Sequence, residues 1–596
     1  MRWKTPGVLF LIWILPTLAV PPAVIFFSSV ILYYVFDVQL SMLLCSVIWI
    51  LVLPLFYACR VWLKFRSHRR AAARLGAVLP PVLEGELPGN FDILTKLLES
   101  FSTGYLGDIL LGAANTLGGI YQLQLLWDCA YVSTDANIAK AILATNFPSF
   151  VKGPAFRFTM KSVLGTGVFN SDGDMWKFHR SMTRPFFSRE RISHFEIFNR
   201  HAELTIARMK KRLQADVAVD FQDLVSRFTL DSASEFLFGT CVHSLQAPLP
   251  YPHNVLDIDA DKYTPSTADE FANAFSSAQR ILAERMNSSW IWPLQEIFRT
   301  KTDKHMKVVD DFINPILQEA LGKHERRLKD KKSSTDEEED SETLLDSLVK
   351  STSDQTVLHD ETLNILIAGR DTLAASLTFT VYLLCEHPTI LKRLREEVLH
   401  YVGPERRPTY DDIREMKYLR AVVNESLRLY PPVPFDIRCT VEETLLPNPD
   451  PNGKPIYIPR DTTISFSALA MGRRKDYWGP DADEFDPNRW IDERVHKYLV
   501  PNPFIFLPFN AGPRICLGQQ FAYNEMSCFL IRLLQSFSGM CMDLGAQPPS
   551  ARPPASWASC PGRKGVEKVC PKSHLTMYVG GGLWVKMTEA GDGESA

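Results

Sequence analysis

Cys516 lies in a loop whose residue types suit metal-cofactor chemistry. The segment Phe506-Leu507-Pro508-Phe509-Asn510-Ala511-Gly512-Pro513-Arg514-Ile515-Cys516-Leu517-Gly518 is a loop by its Pro and Gly content, and a helical pattern begins near Gln519. A thiolate at a helix N-terminus is favoured by the dipole and by free backbone N–H donors. Gly512 and Gly518 allow a tight turn and a close approach of backbone to a flat cofactor, and Arg514 supplies a cation for an anionic group on it. Three other constellations could do chemistry. Ala368-Gly369-Arg370-Asp371-Thr372 offers an acid beside a hydroxyl inside a long helical pattern, where Gly369 predicts a kink. Glu425 and Arg428 are three residues apart and share one helix face. Trp176-Lys177-Phe178-His179-Arg180 places an aromatic face next to cations.

The elements that must position these residues are mostly helical. Helical periodicity runs through Leu363–Leu384 and Tyr418–Leu429, and Phe228–Gly239 is apolar enough for a buried helix. Two short hairpins are predicted: Ile456–Pro459 with Thr462–Phe466, and Leu575–Val579 with Leu583–Met587 across Gly580-Gly581-Gly582. Residues Gly7–Phe36 carry no charge, and a second apolar run extends over Leu40–Cys59. About 20 apolar residues span a bilayer core. Pro16, Pro21 and Pro22 predict a kink or break in the first run. Arg60, Lys64, Arg66, Arg69, Arg70 and Arg74 follow, and such charge stays cytoplasmic. Residues 1–75 therefore read as a membrane anchor of one or two transmembrane helices. Residues 76–90, with Leu79-Pro80-Pro81, read as a stiff hinge, and 91–596 as the body. Lys329–Glu342 reads as a solvated surface loop, and Gln547–Gly562 as loop.

Composition sets outer bounds. The net charge of −3 argues against a nucleic-acid partner. The eleven cysteines include no C-x-x-C pair, and their odd number and low density argue against zinc and disulfide frameworks.

Phe509 to Gly518 fits F-x-x-G-x-R-x-C-x-G at every position, and on it the chain resembles the cytochrome P-450 haem-thiolate monooxygenases. The resemblance spans residues 176 to 518. It implies a mainly α fold with small β-sheets, haem b as cofactor, and Cys516 as axial ligand of its iron. It implies that Trp176, Arg180, Arg438 and Arg514 bind the haem propionates and that Phe509 packs in the haem-binding loop. Asp371 and Thr372 would relay protons to bound O2. Glu425 and Arg428, with Arg489 of Phe485-Asp486-Pro487-Asn488-Arg489-Trp490, would lock the core beneath the haem as a structural group. His179 is not expected to ligate iron.

The chain ends 80 residues after Cys516 and shows no G-x-G-x-x-G loop, so electrons come from elsewhere. The resemblance implies an NADPH–cytochrome reductase on the endoplasmic reticulum membrane, with the body facing the cytosol. Phe228–Gly239, the Arg within Ala368–Thr372, and Phe509–Ala522 look like the fungal alkane and fatty-acid hydroxylases, which implies a lipophilic, long-chain substrate. Asp436 lies where the substrate should face, an awkward place for a carboxylate. Either it points away, or the enzyme oxidises a broader range such as alkyl- or polycyclic aromatics. A thiolate-haem isomerase or dehydratase, and a non-catalytic haem sensor, are the other classes; Asp371 and Thr372 argue against both.

Overall fold

Apolar length decides the amino-terminal architecture. A computed structural model describes residues 5–38, 41–187, 195–255, 266–329 and 343–591. The two uncharged runs form helices α1 (Pro6–Phe36) and α2 (Met42–Arg74). Contrary to the predicted break, α1 continues through Pro16, Pro21 and Pro22. Lipid offers a backbone no hydrogen bonds, so leaving the helix there would cost more than the lost bonds. Both helices are long and apolar enough to cross a membrane, and both are largely uncovered by the rest of the protein. At 31 residues, α1 is about 46 Å long and exceeds a bilayer core of about 30 Å.

The ends of both helices return to the body. The first turn of α1 docks on the 3-10 stretch Ser289–Glu296. Thr5 Oγ1 donates to the Ile297 carbonyl at 2.6 Å, Phe10 meets Trp290 at 5.8 Å, and an added Cβ on Gly7 would meet Ile297 Cα at 2.5 Å. At the far end of α2, Ala72 is buried against Ala77 and Tyr457.

Seven further helices matter for the site: α3 (Gly173–Thr183), α4 (Phe221–Phe238), α5 (Thr267–Asn287), α6 (Asp303–Lys329), α7 (Gln355–Glu386), α8 (Lys417–Leu429) and α9 (Gln519–Ser536). The predicted periodic stretches lie within α4, α7 and α8. Asp354 caps α7 by accepting from Thr356 N and Val357 N. Gly239, at φ +70°, ends α4 in the left-handed conformation that favours glycine. The core is a layer of α4, α7, α8 and α9, in which Phe228, Phe379, Leu427 and Phe529 are fully or almost fully buried.

Strand pairing departs from the sequence reading. The main sheet has six strands in the order β1 (Val82–Leu83), β2 (Ile120–Leu125), β3 (Asp128–Ser133), β8 (Thr463–Phe466), β5 (Asp436–Thr440), β4 (Phe150–Val151). The first predicted hairpin does not form. Ile456–Ile458, strand β7, pairs with β6 (Thr444–Leu446), while β8 inserts between β3 and β5. The Thr440 hydroxyl and carbonyl capture Thr462 N and Asp461 N, which turns the chain out of one sheet and into the other. The second predicted hairpin also fails. Met577–Val579 pairs with Pro571–Ser573, and Trp584–Glu589 pairs with Phe537–Met542. Gly581 and Gly582, both at positive φ, redirect the chain, and the Asp220 carboxylate takes Leu583 N at 3.0 Å.

The expected hinge is likewise stitched into the body. Val78 N bonds the Pro455 carbonyl, Gln122 N bonds the Pro81 carbonyl, and β1 joins the main sheet. Residues 547–562 are loop with short 3-10 turns, as read. Of the charged segment 329–342, residues 330–342 lie outside the described residues.

Candidate active site

The cysteine loop is held by its backbone. Cys516 N donates to the Phe509 carbonyl at 2.9 Å, and Ala522 N to the Gly518 carbonyl at 2.8 Å as α9 begins. Gly512 sits at φ +66°, and a Cβ there would overlap the Leu143 carbonyl oxygen, so the loop lies flush on its neighbour only as glycine. Gly518, at φ −85° and ψ 14°, caps α9 without needing a positive φ, and its contribution is an N–H aimed at the Cys516 sulfur. Burial pushes the Cys516 thiol up, against the pull of that N–H and of Arg180. A bound metal would hold it as the thiolate.

Cys516 and Thr372 line the same cavity, of about 1900 Å³. Phe509, Trp176, Arg180, Arg438 and Arg514 line it too. Glycine lets α7 present bare backbone here: a Cβ on Gly369 would meet nothing nearer than Ala233 Cβ at 3.5 Å. The helix stays continuous at Gly369, where a kink was expected. The Thr372 hydroxyl donates to the Ala368 carbonyl at 2.6 Å. Asp371 does not line the cavity. Its carboxylate lies behind Thr372, bonded by Gln279 of α5 at 2.6 Å and by its neighbour Arg370 at 3.1 Å.

A cationic cluster closes the other side. Arg514 lies 4.6 Å over the Trp176 ring and 3.0 Å from Asp172, and Arg180 is 6.0 Å from the same ring. Arg438 and Lys152 both reach Asp436 Oδ1 at 2.8 Å, and Asn510 donates to its Oδ2 at 2.8 Å. Burial alone would raise the Asp436 carboxyl, but Arg438 and Lys152 hold it well below the usual carboxylate range. The awkward carboxylate thus lines the cavity but is paired with cations at its edge. Burial, then Arg438, bring the Lys152 ammonium down to about 8 and the Arg514 guanidinium to about 10.

This cluster fits haem propionates. Arg180, Arg438, Arg514 and Lys152 outnumber the carboxylates of Asp172 and Asp436, and Arg157, half in solvent, also approaches Asp172 at 3.6 Å. Among the described residues, the buried Arg438 Nε and Arg514 Nε have no hydrogen-bond partner. Buried donors left unpaired are costly, so a dianionic edge at this cluster would satisfy them.

Beneath the cysteine loop, Glu425 is fully buried and takes Arg428 twice at 2.7 Å and Arg489 at 3.3 Å. Trp490 Nε1 and Asp486 N complete its shell at 2.9 and 3.1 Å. His179 is fully buried and 2.8 Å from Glu361, away from Cys516. Sequence reasoning missed Lys152, Asp172 and Gln279. Asp436 could have been placed, since it and Arg438 are two apart on a strand and share one face.

The cavity continues outward. Leu237, Met286, Trp292 and Trp127 also line it, as do Trp13 of α1 and Tyr57 of α2.

A family model described as Cytochrome P450 matches residues 88–563. The chain is 36% identical to Cytochrome P450 52E1 of Candida apicola over 482 residues, 78% of this chain and 86% of that protein. It is 34% identical to Cytochrome P450 monooxygenase g430 of a Fusarium species over 518 residues, 84% of this chain and 86% of that one. It is 36% identical to Cytochrome P450 52A6 of Candida tropicalis over 461 residues, 75% and 79% of the two chains.

Proposed function

The chain belongs to the cytochrome P450 family, and on that footing we propose which residues do the work and on what substrate. It is a haem-thiolate monooxygenase that uses haem b, O2 and electrons from a redox partner. The balance is R–H plus O2 plus two electrons and two protons giving R–OH and water. Bound haem supplies the oxygen activation, and a thiolate ligand donates the electron density that favours O–O cleavage.

The protein's own part is to hold, shield and supply protons. Cys516 is the ligand. Trp176, Arg180, Arg438 and Arg514 hold the propionates with Lys152, and Phe509 packs the loop. Thr372 presents a hydroxyl to the cavity, and Asp371 is the acid behind it. Glu425, Arg428 and Arg489 are structural. Residues 1–75 form a two-helix membrane anchor. Its positive flank after Cys59 and the docking of both ends on the body favour a hairpin on the endoplasmic reticulum with a cytosolic body, reached by an NADPH–cytochrome reductase.

The substrate is a long alkyl chain, a fatty acid or n-alkane, hydroxylated at or near its end. One observation carries this: a largely apolar, aromatic-lined cavity whose walls include both Cys516 and residues of the two membrane helices. A chain dissolved in the bilayer can thread it lengthwise. The polycyclic alternative lost its motive when Asp436 was found paired with cations.

The test is full-length enzyme in nanodiscs with reductase, NADPH and a long-chain fatty acid. A terminal or near-terminal alcohol carrying oxygen from O2 is expected. Oxidation of polycyclic aromatics with no alkyl product would overturn the substrate. Thr372→Ala is expected to cut alcohol formed per NADPH by about a hundredfold, the lower end of what one proton-transfer group contributes; unchanged coupling would remove Thr372 from the relay.

A further inference from the structure

Asp371 is gripped from a different helix. Gln279 of α5 is fully buried, and its Nε2 donates to Asp371 Oδ2 at 2.6 Å across a sequence separation of 92 residues. One turn earlier on α5, the Phe275 ring lies 5.8 Å from the Arg370 guanidinium. Arg370 in turn bonds Asp371 Oδ1 at 3.1 Å. Positions 275 and 279 share a face of α5, so that face clamps two consecutive residues of α7. The clamp occupies both carboxylate oxygens and keeps Asp371 off the cavity that Thr372 lines. It is not fully satisfied: Gln279 Oε1 and Arg370 Nε are buried without hydrogen-bond partners among the described residues. The remaining titratable neighbour is His574, whose imidazole burial keeps on the neutral side.

The two grips differ in kind. Arg370 adjoins Asp371 on α7 and moves with it. Gln279 moves with α5, and α5 also presents Ala283 and Met286 to the cavity. A chain threaded past Met286 therefore presses on the helix that holds the acid.

We propose that Gln279 is a positioning residue that holds Asp371 turned away from the cavity and ties its release to the placement of α5 by substrate. The idea rests on the reading of Asp371 as the proton-delivering acid. With the acid held, protons are withheld until a substrate is in place; with it free, O2, two electrons and two protons go to H2O2 without substrate oxidation.

The experiment compares parent, Gln279→Leu, Asp371→Asn and the double variant, each haem-loaded and in nanodiscs with reductase. It reads NADPH consumption without substrate, H2O2 release and alcohol per NADPH. Gln279→Leu is expected to raise substrate-free NADPH consumption and H2O2 by about tenfold, the equilibrium worth of one hydrogen bond to a charged group. In the Asp371→Asn background the same change is expected to add nothing, because Gln279 acts through Asp371. A purely structural role would give additive losses and would sink the proposal, as would unchanged substrate-free consumption in Gln279→Leu. If Asp371→Asn itself leaves coupling and consumption untouched, the reading of Asp371 falls first. Should Gln279→Leu fail to bind haem, Gln279→Met, closer in length and shape, takes its place.

Discussion

Glu425→Gln isolates what the buried ion cluster is worth. The carboxylate receives N–H groups at both oxygens: Arg428 Nη2, Arg489 Nε and Asp486 N at Oε1, and Arg428 Nε and Trp490 Nε1 at Oε2. An amide has the same shape, but whichever way it turns, its NH2 faces donors. The charge is lost as well. Arg489 keeps Asp481 at 2.9 Å, whereas the other partners of Arg428 are the carbonyls of Gly472, Ala482 and Glu484. Arg428 becomes a fully buried guanidinium with no counter-charge. Breaking one side of such a pair costs about 3–5 kcal/mol, a large part of a total near 5–15 kcal/mol. At about 1 °C per kcal/mol for a body this size, the midpoint should fall by roughly 3–5 °C. The assay is thermal loss of the reduced-CO haem-thiolate spectrum alongside unfolding followed by near-ultraviolet circular dichroism. Molecules that still hold haem should turn over as the parent does, because no atom of this cluster touches the cavity. A midpoint within about 1 °C of the parent would refute the argument that Glu425 carries both arginines.

Two more expectations follow from the same geometry. Gly512→Ala should destabilise the cysteine loop by about 2 kcal/mol or more, through positive φ and overlap with the Leu143 carbonyl; haem content per molecule of purified protein reads this, and parent-like loading would contradict it. His359 joins α7 to α6 through Asp310 at 3.1 Å and meets Asp360 at 3.3 Å, and these hydrogen bonds raise it from 6.5 to about 9. A raised histidine stabilises the fold fully below its unfolded value and stops doing so as pH climbs through about 9. The gap in thermal midpoint between parent and His359→Gln should therefore be present near pH 6 and close above pH 9, with about 1 kcal/mol at stake after solvent screening; a gap that does not change with pH would count against it.

The cysteine loop, the long helices and the anchor could all be read locally. A ten-residue pattern carries Cys516, 3.6-residue periodicity carries α7 and α8, and uncharged length carries α1 and α2, because each is a property of one stretch of chain. Pairings between distant stretches were beyond that reach. A strand edge offers the same N–H and C=O groups to any partner, so nothing near Thr463 or Met577 names the strand it will join; Thr440 and the Gly581-Gly582 turn decide it only once the body is assembled. The charges show the same limit. Asp436 looked misplaced until Lys152, 284 residues away, was found beside it. Asp371 was recognisable as an acid from its own segment, yet which way its carboxylate faces depends on Gln279. Sequence alone settled which groups could do the chemistry; the packing of remote helices settled which of them face the cavity, since a buried charge goes where its partners are.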